Sequence, residues 1–246
     1  MTATLVTDSN TAGDRDELDA RLVSFLKPES FEADQYRMLR YAVERACPTE
    51  GSRVIAITSP ISGDGKTLTA VNLAGTIARP GQARVLMVDG DLRRPSVAKV
   101  LGHQSVNRGW GLVDAIVDRR LSLEQIAWSL DPFNLSVITS RRPHAETYEL
   151  LASGRVGELL NDARQRFDYV IVDTPPVLPA PDSRLLAEWV DGYVVVVAAD
   201  KTPRALLQET FALLGPAKIL GLVFNCESHR NPRYGKYYYR SYGART

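Results

Sequence analysis

The chain has 246 residues, is 44% hydrophobic and 24% charged, and carries a formal net charge of +1. This length and composition fit one compact α/β domain with modest tails, and they allow a sizeable buried core. The nearly balanced charge excludes general electrostatic attraction to nucleic acid or to a membrane surface. The two cysteines, Cys47 and Cys226, are far apart and lack metal-ligand spacing, which is typical of a reducing cytosol.

Three segments follow one another along the chain. Residues 1–27 are predicted to be a flexible arm, because they are polar at first and then highly charged. The arm lacks the apolar core of a signal peptide, and the longest apolar run of the chain, 193–199, is too short to span a bilayer. Residues 28–227 form the predicted domain, and residues 228–246 form a flexible tail that is basic and aromatic.

Within the domain, a helix is predicted over 31–45 from apolar residues at helical spacing. Short β-branched runs then alternate with helical stretches, and the predicted strands are 53–59, 84–90, 135–139, 169–173, 193–199 and 219–225. Several of these runs are almost wholly apolar, as strands buried on both faces must be. The alternation predicts an α/β fold with a mostly parallel sheet and helices on both faces.

The loop after the first strand is a candidate phosphate-binding loop. Residues 59–67 read Ser-Pro-Ile-Ser-Gly-Asp-Gly-Lys-Thr, with Pro60 where the usual pattern has its first glycine. Backbone N–H groups and the positive end of the following helix would cradle the β- and γ-phosphates. Lys66 would neutralise charge, and the Thr67 hydroxyl would hold Mg²⁺. The predicted nucleotide-binding residues of this segment are Gly63, Asp64, Gly65, Lys66, Thr67 and Leu68.

Carboxylates end two further strands of the predicted sheet. Asp89 and Asp91 follow the apolar run 85–88, and Asp173 ends the run 169–172 as a Walker B carboxylate would. Ligands bind at the carboxyl ends of strands in open parallel sheets, so all three should face the phosphates. With Thr67 they are the predicted metal ligands, and with Lys66 the predicted catalytic residues. One of Asp89 and Asp91 would order Mg²⁺ and the other would accept a proton from an incoming hydroxyl.

The tail contains five of the ten tyrosines of the chain, all within its last thirteen residues: Tyr234, Tyr237, Tyr238, Tyr239 and Tyr242. A phosphoryl-transfer site joined to clustered hydroxyl acceptors suggests a kinase that modifies itself. Interleaved aromatic and basic residues also suit stacking on single-stranded nucleic acid. The preceding phosphoryl-transfer domain disfavours that reading, so no nucleic-acid partner is expected.

These motifs resemble those of the bacterial tyrosine kinases, the BY-kinase regulators of polysaccharide synthesis. Asp89-x-Asp91-x-Arg93 resembles their second Walker motif, and Asp173-Thr-Pro-Pro resembles their Walker B motif. The tail resembles their tyrosine cluster, and Asp34-x-x-Arg37-x-x-Arg40 resembles their oligomerisation motif with Asp for Glu. The resemblance covers residues 30–246 and implies a P-loop NTPase fold of the deviant Walker type. Asn225 resembles the position that contacts adenine in related ATPases.

The resemblance further implies an ATP- and Mg²⁺-dependent autokinase that phosphorylates its tail tyrosines in trans. The implied assembly is a ring-like homo-oligomer, such as an octamer. The implied partners are a membrane adaptor of the polysaccharide co-polymerase type and a cognate tyrosine phosphatase. The implied location is the cytoplasm, at the inner face of the membrane. The role in the cell would be regulation of exopolysaccharide or capsule synthesis and export.

Two other functions stay open on the sequence. The first is a switch ATPase of the partitioning or septum-positioning type, which carries a signature lysine near the start of the phosphate loop. Ile61 occupies that position here and argues against it. The second is a non-catalytic regulator that binds ATP and signals by shape, against which the full set Lys66, Thr67, Asp89, Asp91 and Asp173 argues.

Overall fold

The computed structural model describes residues 17–47, 51–103, 109–140 and 143–226. Its helices are α1 (Val23–Leu26), α2 (Phe31–Ala46), α3 (Lys66–Ile77), α4 (Val97–Val100), α5 (Leu112–Val117), α6 (Leu123–Ile126), α7 (Thr147–Ala152), α8 (Arg155–Arg166), α9 (Asp182–Leu185) and α10 (Arg204–Leu214). Its strands are β1 (Arg53–Thr58), β2 (Val85–Asp89), β3 (Trp128–Ser129), β4 (Leu135–Ile138), β5 (Tyr169–Asp173), β6 (Gly192–Ala198) and β7 (Ile219–Asn225). Two 3₁₀ turns lie at Leu186–Glu188 and Pro216–Lys218.

The strands form one seven-stranded sheet in the order β3-β4-β2-β5-β1-β6-β7. All neighbouring pairs are parallel except β3 with β4. The predicted fold class is confirmed, as are the six predicted strands and the helix after Pro28. The antiparallel strand β3 was not predicted, because a run of two residues is too short to show a period.

A hydrophobic core lies on each face of the sheet, since successive residues of a strand point to opposite faces. In β1, Val54 and Ala56 belong to one core, and Ile55 and Ile57 belong to the other. The first core packs against α5 to α8 and the second against α2 and α3. The central strands β2 and β5 are buried throughout, which explains their continuous apolar sequence.

The end of the predicted arm packs on the domain, which corrects the predicted boundary at residue 27. Leu22 is fully buried beside α3. The Ser24 backbone N–H donates to Asn72 Oδ1 at 3.0 Å, and the Ser24 and Thr76 hydroxyls are 2.8 Å apart. The Phe25 ring lies against Gly75, where a Cβ would collide with it. These contacts bury apolar surface and satisfy polar groups, so residues 18–27 belong to the domain.

Two predicted segments, residues 1–16 of the arm and the tail 228–246, lie outside the described residues. The tail contains all five predicted phosphoacceptors. In the part of the chain that the structure describes, no helix has the length and apolar character needed to cross a bilayer.

Candidate active site

The phosphate loop connects β1 to α3 and requires glycine at two positions. Gly63 and Gly65 have φ values of +91° and +92°, a region that side-chain-bearing residues rarely adopt. A Cβ at Gly65 would also collide with the Asn225 side chain. Lys66 and Thr67 then begin α3, so the loop amides and the positive end of a twelve-residue helix point the same way.

Two distant residues hold the phosphate loop from the side of β6 and β7. The Asp64 side chain is buried, and its Oδ1 accepts a hydrogen bond from Thr202 Oγ1 at 2.7 Å. Asn225 Nδ2 donates to the Asp64 carbonyl oxygen at 2.9 Å. The Asp64 carboxylate therefore points toward Thr202, so Asp64 can contact a phosphate only through its backbone amide. Leu68, in the first turn of α3, is partly buried and packs against the second core.

The three predicted carboxylates converge on the loop. Asp89 and Asp173 are register partners at the ends of β2 and β5, and both are fully buried. Asp91 follows two residues later and is 4% exposed. Lys66 Nζ lies 2.9 Å from Asp91 Oδ2 and 3.5 Å from Asp173 Oδ1. Thr67 Oγ1 donates to Asp173 Oδ2 at 2.6 Å. The structure thus brings together all five residues predicted for catalysis and metal binding.

Two carboxylate oxygens at the centre of the site have no hydrogen-bond partner among the described residues. Asp89 Oδ2 accepts from the Ser96 and Val97 amides at 3.0 Å each, but the buried Asp89 Oδ1 accepts none. The buried Asp173 Oδ1 accepts none either, since Lys66 Nζ at 3.5 Å is an ion-pair contact. Buried oxygens without partners are rare in folded proteins and call for an explanation such as a bound ion.

The electrostatics of the site also favour a bound cation. Burial, and then repulsion from Asp173, raises the pKa of Asp89 to about 8. Burial raises the pKa of Asp173 as well, against the attraction of Lys66. Burial alone would lower the pKa of Lys66, but Asp173 and Asp91 raise it above its ordinary value. The raised pKa values of Asp89 and Asp173 show that their charged forms are unfavourable without a cation, and a bound divalent cation would stabilise those charged forms.

The residues fit Mg²⁺ bound together with nucleotide better than Mg²⁺ bound by protein alone. Among the described residues, no group of three or more His, Cys, Asp or Glu side chains forms a metal cage by itself. Mg²⁺ commonly takes one or two carboxylates and completes its shell with phosphate oxygens and water. The free oxygens of Asp89 and Asp173 and the Thr67 hydroxyl suit that arrangement. Ser96 Oγ, which the sequence reasoning missed, lies 3.2 Å from Thr67 Oγ1.

The predicted interface residues lie on α2, where each has a partner within the chain. Arg37 pairs with Asp34 and donates to the Pro28 carbonyl. Arg40 Nε donates to Glu44 Oε1 at 2.8 Å, and its Nη1 contacts the Gln82 side chain. None of these contacts involves the phosphate loop. Their part in assembly stays a prediction.

Gly65→Ala should weaken nucleotide binding by more than about tenfold. The new methyl group displaces the Asn225 side chain from the loop, and the left-handed backbone adds strain of about 1–2 kcal/mol. Gly81→Ala is the matched control, because Gly81 has a φ of +75° but open space where the methyl group would go. Titration with a fluorescent ATP analogue and Mg²⁺ checks this. Parental affinity in the Gly65 variant would contradict it.

The chain is similar to known proteins in both sequence and structure. A family model described as an AAA domain matches residues 52–226. The chain is 32% identical over 224 residues to the tyrosine-protein kinase YwqD of Bacillus subtilis, covering 89% of this chain and 92% of YwqD. It is 29% identical over 237 residues to the succinoglycan biosynthesis transport protein ExoP of Rhizobium meliloti, covering 86% of this chain.

The match to ExoP covers only 29% of that protein's length, whereas the match to YwqD is nearly end to end. Among solved structures, the chimerical protein CapA2B2 superimposes with a TM-score of 0.76 and 26% identity, over 87% of this chain and 94% of the chimera. The phosphate loop, the strand-end carboxylates and these similarities lead to one conclusion: the chain belongs to the bacterial tyrosine-protein kinases, whose reaction is phosphoryl transfer to protein tyrosine.

Proposed function

We propose that this chain is an ATP- and Mg²⁺-dependent autokinase that phosphorylates the tyrosines of its own tail in trans, within a ring-like oligomer. The observation that carries the proposal is the convergence of Asp89, Asp91 and Asp173 on Lys66 and Thr67 at the carboxyl edge of the sheet. Positioning and charge neutralisation are most of what phosphoryl transfer requires. The acceptors proposed are Tyr234, Tyr237, Tyr238, Tyr239 and Tyr242.

The residues of the site have separate roles in phosphate binding, metal binding and proton transfer. The amides around Gly63 and Gly65 bind the β- and γ-phosphates. Lys66 moves away from its carboxylate partners and neutralises the charge of these phosphates. Thr67 and Asp173, together with Asp89 or Asp91, would hold Mg²⁺, which when bound would neutralise charge on the transferred phosphoryl group. Within the pair Asp89 and Asp91, one carboxylate orders the ion and the other accepts the proton of the tyrosine hydroxyl.

The geometry of the chain allows transfer between subunits. Tyr234 lies nine residues beyond Asn225, and Tyr242 lies seventeen beyond it. An extended chain spans up to ~3.3–3.6 Å per residue, so these acceptors have a reach of about 30 to 60 Å. A reach of this length would allow the tail to enter the site of a subunit that packs against this one. The tail is basic and the site has an excess of carboxylates, so their charges are complementary.

We propose a role in polysaccharide synthesis and export from the names of the relatives. ExoP is named as a succinoglycan biosynthesis transport protein, and CapA2B2 is named as a chimerical protein. For this chain they suggest regulation of exopolysaccharide or capsule synthesis together with a membrane adaptor that recruits it to the inner face of the membrane. A cognate tyrosine phosphatase would complete the cycle, because autophosphorylation without removal would act only once.

The decisive experiment is a phosphotyrosine blot of the purified chain with Mg-ATP, with and without Lys66→Met. The parent should label strongly, and the Lys66→Met variant should not. A second assay mixes the Lys66→Met protein, whose tail is intact, with an active variant whose five tail tyrosines are Phe. In this mixture, only transfer in trans can label the tail tyrosines. Label on the Lys66→Met tail supports the proposal. A parent that binds ATP without labelling would instead be a non-catalytic regulator.

Arg37→Ala/Arg40→Ala should convert the assembly to smaller species while ATP binding stays intact. Both arginines lie on α2, beside Met38 and Tyr41, whose side chains are 63% and 61% exposed. The ion pairs of Arg37 and Arg40 are partly exposed to solvent, and such pairs contribute little to the fold, so we expect their loss to act mainly on contacts between subunits. Arg119→Ala/Arg120→Ala, which removes two exposed surface arginines, is the control. Light scattering gives the mass, and an unchanged mass in the α2 variant would refute the interface.

A further inference from the structure

An ion pair with one buried partner joins the first residue of α9 to the turn that carries Asp91. Arg93 Nε donates to Asp182 Oδ2 at 2.7 Å, and Arg93 Nη2 donates to Asp182 Oδ1 at 3.0 Å. The Asp182 side chain is fully buried, whereas that of Arg93 is 42% exposed. Such two-point contacts fix the orientation of a guanidinium group as well as its position.

Asp182 is itself held firmly by the core. The hydroxyl of the next residue, Ser183, donates to the Pro175 carbonyl at 2.5 Å, and the fully buried Tyr193 hydroxyl donates to the Ser183 carbonyl at 2.5 Å. Thr58 Oγ1 also donates to the Pro175 carbonyl, at 3.0 Å. The chain at Asp182 is therefore anchored in the core, and the buried Asp182 carboxylate holds the more exposed Arg93 side chain.

The turn at Asp91–Arg94 connects the Arg93–Asp182 ion pair to the active site. The Arg94 amide donates to the Asp91 carbonyl oxygen at 3.2 Å and to Asp91 Oδ1 at 3.0 Å. With Oδ1 held by that amide, Asp91 Oδ2 points at Lys66 Nζ, 2.9 Å away. Arg93 sits in the middle of this turn. A free Arg93 side chain would let the turn relax and let the Asp91 carboxylate rotate.

We propose that Asp182 is a positioning residue for phosphoryl transfer, which holds the Asp91 carboxylate in place through Arg93 and the Asp91–Arg94 turn. This inference rests on the proposed function. A purely stabilising role explains the geometry less well, because buried ion pairs add little net stability over a neutral pair of the same shape. Arg93 is also exposed enough for water to replace the lost contact.

The test compares Asp182→Asn, Arg93→Gln and the double variant in the full chain. In Asp182→Asn, kcat for tyrosine phosphorylation should fall on the order of 10- to 100-fold, because a misplaced group slows transfer without weakening binding. The affinity for a fluorescent ATP analogue should stay at the parental value. The double variant should be no slower than the slower single variant, because both changes break one link. Arg93→Lys, which keeps the charge but loses the two-point contact, should be intermediate.

The chain offers a matched control in Arg164 and Asp191. This pair also has two contacts, at 2.8 and 3.0 Å, and Asp191 accepts from the Val54 amide near the start of β1. Asp191→Asn should lower the denaturation midpoint and leave kcat unchanged. An equal loss of kcat in Asp191→Asn would overturn the inference. So would parental kcat in Asp182→Asn, or additive losses in the double variant.

A second measurement does not depend on activity. In the ¹H–¹⁵N spectrum of the nucleotide-free protein, Asp182→Asn should shift the Arg94 amide, because its bond to Asp91 changes, and Asp191→Asn should not. An unmoved Arg94 amide would reject the positioning role even if the parent transferred no phosphate. A parent without tyrosine phosphorylation would refute the proposed function alone, and the amide would still decide this inference.

Discussion

Asp89→Asn and Asp91→Asn should each lower tyrosine phosphorylation by about 10²- to 10⁴-fold, while the protein stays folded. Both carboxylates are buried within reach of Lys66 or Asp173, where water cannot replace the lost charge. The site then loses either a ligand for the ion or the proton acceptor, and either loss acts on the transition state. Single-turnover phosphorylation with Mg-ATP measures the effect.

The Asp89 variant separates catalysis from stability with particular clarity. Asp89 Oδ1 is buried without a hydrogen-bond partner in the described part of the chain, so its charge disfavours the nucleotide-free fold. The neutral amide should therefore leave the denaturation midpoint unchanged or raise it. Asp168→Asn, which alters an exposed carboxylate paired with Arg84, is the control and should keep parental activity. Near-parental phosphorylation in both site variants would show that the catalytic assignment is wrong.

The fold could be predicted from the sequence because its central strands are buried on both faces. Residues 169–172 and 192–198 are almost wholly apolar, and this signal is local. The carboxyl ends of such strands meet at one edge of the sheet, so a charged residue that ends an apolar run indicates where the site lies. That reasoning predicts that Asp89 and Asp173 face the phosphates, and the structure places them as register partners at the ends of neighbouring strands.

The rest depends on contacts between residues far apart in sequence, which leave no local pattern. Thr202 bonds Asp64 across 138 positions, and Asp182 bonds Arg93 across 89. The packing of the arm did have a signal, since Leu18, Leu22 and Phe25 follow helical spacing, but the surrounding charges concealed it. The acceptor tyrosines and the α2 interface rest on resemblance, and no contact of the described residues tests them.

Replacing all five tail tyrosines by phenylalanine should give a protein that binds Mg-ATP yet stays assembled when ATP is added. The parent tail, residues 228–246, carries five Arg or Lys residues and no acidic residue, so it is attracted to a site with excess carboxylates. Each phosphotyrosine adds about −1.5 to −2 charges, so a few of them reverse the sign of the tail. The modified tail should leave the neighbouring site, and the assembly should disperse.

Light scattering before and after ATP addition measures this directly. Lys66→Met, which keeps the tyrosines but cannot transfer phosphate, should also stay assembled. Tyr148→Phe changes an exposed tyrosine outside the tail and should disperse like the parent. If the five-Phe variant dissociates on ATP addition as readily as the parent, dispersal comes from nucleotide binding and the tail is not the switch.

A cluster of acceptors, as opposed to a single one, should make the response graded. Repulsion between the tail and Asp89, Asp91 and Asp173 should grow with each phosphate. The fraction of protein that disperses on ATP addition should therefore increase from variants that keep one tail tyrosine to those that keep three and five. The repulsion is electrostatic and partly screened, since the Debye length is about 8 Å at physiological ionic strength. Raising the salt concentration should therefore reduce the difference between the variants, whereas a switch based on shape alone would leave the series unchanged.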